Sequence, residues 1–274
     1  MHWFVIDETN KNPKPGQFLV IGGLVLRPKQ VDKVHNAIEK IRKKHGYRDG
    51  DSLKFQVASR PAHVTIEDAT RAKRAVIKKL RKFKVRMIVY VILHDIAVNK
   101  SDRERMEMGL NTLVWAYHRL LSSEKTTGAM LIDRDDAQHG HLVHLFQEGI
   151  KVGRSAPQVR DRVVLFGMTA NNSSHLSSAV DIALGGFRYC VNAASLDEEH
   201  GAHMTAKSIF RPLSRLIWGV QQGQIRRLGG YGFLARPLDV RAARYESKYK
   251  ILREKLNEYS RAEASEETSL PSPS

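Results

Sequence analysis

Only one cysteine, Cys190, stands in the 274 residues of this chain. That excludes an intrachain disulfide and a cysteine-based zinc cluster, and it agrees with a reducing compartment. No apolar run approaches the roughly 18–20 residues of a membrane span. The opening residues, MHWFVIDETN, lack the basic stretch and long apolar run of a secretory leader. A soluble, cytoplasmic protein without a membrane partner is therefore expected. No internal repeat is visible. The glycine-rich stretch 224–236 lacks the Lys-Ser/Thr ending of a nucleotide-binding P-loop.

Negative charge is also scarce. There are 29 Asp and Glu against 45 Lys and Arg, a net charge of +16. Such an excess favours a polyanionic partner, because each neutralised phosphate releases a counterion. DNA or RNA is the expected partner. Oligomeric state is left open, with a dimer among the options. Hydrophobic residues make up 42%, enough for a packed core, and the length suits one large domain or two small ones.

The apolar pattern places the elements. Residues 3–6 and 17–26 read as two strands joined through the turn-forming stretch 10–16, and Gly22 and Gly23 mark a bulge or a close approach. Val31, Val34, Ile38 and Ile41 recur at helical spacing. A second helix is expected over 66–83, then a buried strand over 85–93. A long helix follows over 102–121, a strand over 128–132, a helix over 142–150 and a strand over 162–168. Residues 175–191 read as a helix with Ser173 or Ser174 as its cap. A helix over 205–220 should kink at Pro212. The stretch 224–237 reads as a basic glycine-rich loop and 239–259 as a charged helix. Strands first, then strands alternating with helices, argue for an α/β domain with a mixed sheet. The expected organisation is an α/β domain over 1–222, a basic loop and helical extension over 223–260, and a disordered tail over 261–274.

Three acids stand out by context. Asp7 follows Phe-Val-Ile, Asp133 follows Met-Leu-Ile, and Asp181 lies beside the apolar stripe of its helix, with Ser177, Ser178 and Gly185 at neighbouring turns. A carboxylate at the end of a strand sits where an α/β sheet opens its binding crevice. If their strands are neighbours, Asp7 and Asp133 stand close enough to repel, and a divalent cation relieves that repulsion. Hard oxygen ligands suit Mg²⁺ or Mn²⁺, which can activate water and stabilise the leaving oxygen of a phosphodiester. The ordinary alternatives are turn residues for the two strand-end acids and a surface acid for Asp181.

These motifs resemble the large prokaryotic domain-of-unknown-function family numbered thirty-eight hundred, whose members are thought to have a ribonuclease H-like fold. FVIDET at 4–9 is similar to the family's opening Phe/Tyr-Ile-Asp-Glu-Ser-Gly strand, and FLVIGGLVL at 18–26 to its second strand. SLKF at 52–55 is similar to its short Glu-x-Lys motif, MLIDRDD at 130–136 to the strand delivering a second aspartate, and HLSSAVDIALGGFRY at 175–189 to its late helix. The resemblance spans about residues 3–235. It implies a ribonuclease H-like mixed sheet flanked by helices, with Asp7, Asp133 and Asp181 as metal ligands, Glu8 close by and Lys54 meeting a phosphate oxygen. It implies a metal-dependent nuclease with Asp7, Glu8, Lys54, Asp133 and Asp181 as catalytic residues. The departures are Asn10 where the family usually has Gly, Val180 where it has Ala, and Ser52 where it has Glu. The last removes a fourth carboxylate, which Glu8 or Asp135 would have to replace. The alternative is a catalytically weak or inactive nucleic-acid-binding protein on the same fold, in a phage-defence or mobile-element setting.

Other groups complete the candidate list. Arg134, Arg226, Arg227 and Arg236 are expected to contact the nucleic-acid backbone, with Tyr231 and Phe233 free to stack a base. His141 and His144, at helical spacing beside His139, form a possible metal pair, as do His200 and His203. His175 is the histidine nearest Asp181 in sequence and a candidate general base.

Overall fold

The computed structural model describes residues 1–150, 157–170, 174–197, 199–223 and 225–261. Three strands open the chain's sheet as an antiparallel meander: β1 (His2–Thr9), β2 (Phe18–Leu26) and β3 (Arg86–Leu93). Two helices fill the gap between β2 and β3, α1 (Pro28–Lys44) and α2 (Ile66–Lys82). After α3 (Asp102–Ser123) the chain lays β4 (Gly128–Asp133) parallel to β1, and after α4 (His139–Glu148) it lays β5 (Val163–Thr169) parallel to β4. The helices α5 (His175–Ala193) and α6 (Ala202–Ser214) follow. A short hairpin, β6 (Val220–Gln222) and β7 (Ile225–Arg227), stands apart from the main sheet. Then β8 (Phe233–Arg236) joins β3 in parallel and α7 (Ala243–Ser260) closes the described chain. The result is a mixed six-stranded sheet in the order β5-β4-β1-β2-β3-β8, flanked by helices.

Alternation along the strands sorts side chains onto two faces. Val5, Val20, Leu24, Val89 and Val91 face α1, α2, α5, α6 and α7. Phe4, Ile6, Ile21, Ile88 and Met130 face α3 and α4. Each face is a separate apolar core, which explains why β2 is buried at every residue. At Gly23 the strands pass so closely that a Cβ would stand 1.8 Å from the carbonyl oxygen of Val5. Among the described residues no helix is long and apolar enough to cross a membrane.

Two stretches differ from the sequence reading. The helix expected over 205–220 ends at Ser214. Pro212 lies in its last turn, where it has no N–H for the carbonyl four residues back. Leu216 and Trp218 leave the helix to meet β3: Met87 N donates to Leu216 O and Trp218 N to Met87 O, each at 2.8 Å. The stretch 224–237, read as a loop, contains β7 and β8. The region from 223 onward, read as an extension, supplies the sixth strand of the sheet, and α7 buries Tyr249, Leu252, Leu256 and Tyr259 in the main core. The stretch 262–274 and the cap candidate Ser173 lie outside the described residues; Ser174 does cap α5, its Oγ accepting from Leu176 N at 3.0 Å.

Candidate functional site

Strand register carries Asp7 and Asp133 to one place. Ile6 of β1 is paired with Ile132 of β4, so the next residue of each strand is an aspartate beside an aspartate. Asp133 in turn is level with Thr169 of β5. All three continue the alternation of Val5 and Leu131, so they point to the face that α5 covers. Asp181 comes down from α5 onto the same spot. One depression is lined by Asp7, Asp133, Asp181, Lys54, Thr169 and Ser177, among others. The Ser177 hydroxyl is buried there with no hydrogen-bond partner among the described residues.

Burial and crowding set the electrostatics. Asp7 is pushed up to about 7, first by burial, then by the charge of Glu8, with Asp133 and Asp181 adding to the push. The Glu8 N–H, donating to Asp7 Oδ1 at 2.8 Å, works the other way. Burial also raises Asp181, against the Phe55 N–H and the positive charges of Lys54, Arg188 and Lys73. Asp7 and Asp181 thus lack compensating cations sufficient to hold them at ordinary carboxylate values.

The segment 52–56 forms the near wall, although it is irregular in structure. Leu53 anchors it in the core. Phe55 N donates to Asp181 Oδ2 at 2.5 Å. Lys73 of α2 donates to the Phe55 carbonyl at 3.0 Å and lies 5.3 Å from the Phe55 ring centroid. Gly185, one turn after Asp181, leaves room for Phe55; a Cβ there would be 2.5 Å from the Phe55 Cβ. Lys54 is thereby held exposed at the mouth of the depression. Sequence reasoning missed Phe55, Lys73 and Arg188. Gly185 and Arg188, one and two turns beyond Asp181, carried the available signal.

The turn after β1 is fixed from the same helix. Asn10 has φ 59°, the conformation its side chain tolerates where glycine is usual. Its Nδ2 donates to Phe18 O at 3.1 Å and to Asn192 Oδ1 at 3.0 Å. Glu8 shares Lys11 with Asp135, each at 3.4 Å. Asp135 also caps the short turn after β4, accepting from Ala137 N at 3.1 Å. These bonds make Asp135 a turn residue.

Several candidates are engaged elsewhere. His175 pairs with Glu39 of α1 at 2.7 Å, which turns it from Asp181 and corrects its reading as a general base. His141 meets Asn111 at 2.8 Å. His203 is buried between the Tyr259 hydroxyl (2.5 Å) and the Asp197 carbonyl (2.8 Å), so it has no nitrogen left for a metal. Arg134 is forked onto Asp136 at 3.1 Å on the exposed rim. Arg226 donates to the Ile217 carbonyl and Arg227 to Gln222 at 3.2 Å. Arg236, at the end of β8, donates to the Ala235 carbonyl at 3.3 Å. None of these four arginines lines the depression at Asp7. Tyr231 is packed edge-on to Trp218 with Arg119 over its ring, and Phe233 packs near Phe187, so neither ring is free to stack a base as expected.

The chemistry of the depression is that of hard anionic oxygens beside a lysine. Among the described residues, no three or more His, Cys, Asp or Glu groups are gathered closely enough to hold a metal ion as the side chains stand. Asp181 has one oxygen committed to Phe55. Comparison with protein-family models, with curated proteins and with solved structures finds no match to this chain.

Proposed function

We propose that this protein is a divalent-metal-dependent nuclease of ribonuclease H-like fold, as its resemblance to the thirty-eight-hundred family implies. One observation carries the reading: acids from β1, β4 and α5, far apart in sequence, line a single depression, where burial, then Glu8, and to a smaller extent Asp133 and Asp181 push the Asp7 carboxyl up to about 7. Evenly spread surface acids do not do this. Perturbed carboxylates in a cleft are a mark of functional sites. The net charge of +16 supports a phosphodiester polymer, DNA or RNA, as the substrate.

The donor set suits Mg²⁺ or Mn²⁺ in kind, since it consists of carboxylates with no nitrogen or sulfur. Asp7, Asp133 and Asp181 would hold the ion, and binding would gather side chains that now stand apart. When bound, the ion would activate water and neutralise charge on the phosphodiester. The chain's own residues supply the rest. Asp7 and Asp133, fixed by strand register, define where the reacting phosphate sits. Phe55 N holds Asp181 in one orientation. Lys54 meets a phosphate oxygen as a mobile point charge. Glu8, tied to Lys11, adds negative charge beside Asp7 and sharpens the demand for a cation.

The absence of three gathered ligand groups among the described residues, together with Ser52, favours a second reading, a nucleic-acid-binding protein without turnover. A panel of labelled DNA and RNA, incubated with Mg²⁺, Mn²⁺ or EDTA, separates the two. The nuclease reading expects cleavage that EDTA stops and that Asp7→Asn abolishes while the fold persists. Metal-independent binding without cleavage would favour the second reading.

A further inference from the structure

We infer that a second depression, between the 54–59 segment and α5, is a phosphate-binding subsite in which Arg188 and Lys54 grip the nucleic-acid backbone beside the carboxylates. This rests on the proposal that the substrate is a nucleic acid. The second depression shares Asp7, Lys54 and Asp181 with the first, excludes Asp133, and adds Arg188, Gln56 and Ser59. Glu8 also lines it, so it extends from the carboxylates along the side of α5 toward Arg188.

Arg188 follows Asp181 by seven residues, two helical turns, so both side chains project from one face of α5. Leu184 and Gly185 form the floor between them. Arg188 is half-buried. Among the described residues it makes no hydrogen bond or ion pair, and the same holds for Lys54. Both feel Asp181 only as a more distant charge. Contrast Arg134, Arg226 and Arg227, each already bonded to the protein. A part-buried guanidinium whose donors no protein group claims is free to meet a ligand oxygen. Its planar fork matches two oxygens of a phosphate. A polyanion brought to three acids needs compensating cations nearby, and these two are in place.

The test is fluorescence anisotropy of labelled single-stranded and duplex oligonucleotides, DNA and RNA, with the full chain in EDTA across a salt series. Cleavage and metal play no part in this readout. Arg188→Gln should weaken binding about tenfold and lower the salt slope by about one. Lys54→Gln, at an exposed position that folding does not need, should do the same. Arg188→Lys should fall between wild type and Arg188→Gln, since it keeps the charge and loses the fork. Arg227→Gln should bind within about twofold of wild type. Wild-type-like binding by Arg188→Gln and Lys54→Gln, or equal loss in Arg227→Gln, overturns the subsite and leaves the nuclease reading standing. A wild-type chain that binds no oligonucleotide at low salt in EDTA overturns the subsite, and one that binds none with Ca²⁺ added either overturns the nucleic-acid reading as well.

Discussion

The backbone N–H of Phe55 donates to Oδ2 of Asp181 across 2.5 Å, joining residues 126 apart in sequence. The bond ties the irregular 52–56 segment to α5, and so places Lys54 opposite the acids. It survives because Gly185 leaves space for the Phe55 side chain and Lys73 grips the Phe55 carbonyl.

Gly185→Ala tests this link. The added methyl would meet Phe55 at 2.5 Å and force the segment outward. A loss of about 1–3 kcal/mol in denaturant unfolding is expected, and on the proposed nuclease reading cleavage should fall further than stability alone explains. Gly229→Ala, where nothing lies within 4 Å of the added Cβ, serves as the comparison. Equal behaviour of the two variants would remove the argument for Gly185.

The raised Asp7 carboxyl makes stability depend on pH in a definite direction. In the unfolded chain Asp7 loses its proton near 3.8, and in the folded chain near 7. Between these values the folded state holds the extra proton, so this group's contribution to stability falls as pH rises from about 4 to 7 and is constant above. Asp7→Asn removes the buried charge, and with it the repulsion from Glu8. In metal-free protein at pH 8 it should be more stable than wild type, on the order of 2 kcal/mol, and the difference should vanish below pH 4. Thermal melts across pH in EDTA measure it; a variant less stable than wild type at pH 8 would contradict the assignment.

Tyr249 tests whether the last described helix belongs to the core. Its buried hydroxyl accepts from Leu93 N at 2.9 Å and donates to Arg236 O at 2.5 Å, bridging β3 and β8 at the sheet's end. Tyr249→Phe leaves both partners unsatisfied and should cost about 1–3 kcal/mol. A chain ending at 222 loses β8 and α7 and should fail to give a cooperative melt. Cooperative unfolding of that truncated chain would show that the sheet stands without them.

Much of the site was legible because its acids interrupt apolar patterns. Asp7 and Asp133 each end a hydrophobic strand, and pairing of Ile6 with Ile132 puts them side by side. Asp181 beside small residues signalled a close approach, which the Phe55 contact shows, and Asn10 takes the positive φ that its side chain allows. The rest depends on tertiary contacts that no local pattern encodes. Nothing in the sequence near Lys73 says that it reaches Phe55. His175 is close to Asp181 along the chain, yet helix geometry turns it toward Glu39. The strands β7 and β8 are short and lie in a glycine-rich stretch that reads as loop, and β8 is a strand because β3 offers it a free edge.

Calorimetric titration with Mn²⁺ at pH 8 tests whether Asp7 and its neighbours form a cation site. The wild-type protein should bind Mn²⁺, more weakly as pH drops below about 7 and protons compete for Asp7. Asp7→Asn and Asp133→Asn should each lose at least about tenfold in affinity, while Asp135→Asn, at a turn residue, should bind as wild type does. No Mn²⁺ binding by the wild-type chain, or equal binding by Asp7→Asn, would contradict the account.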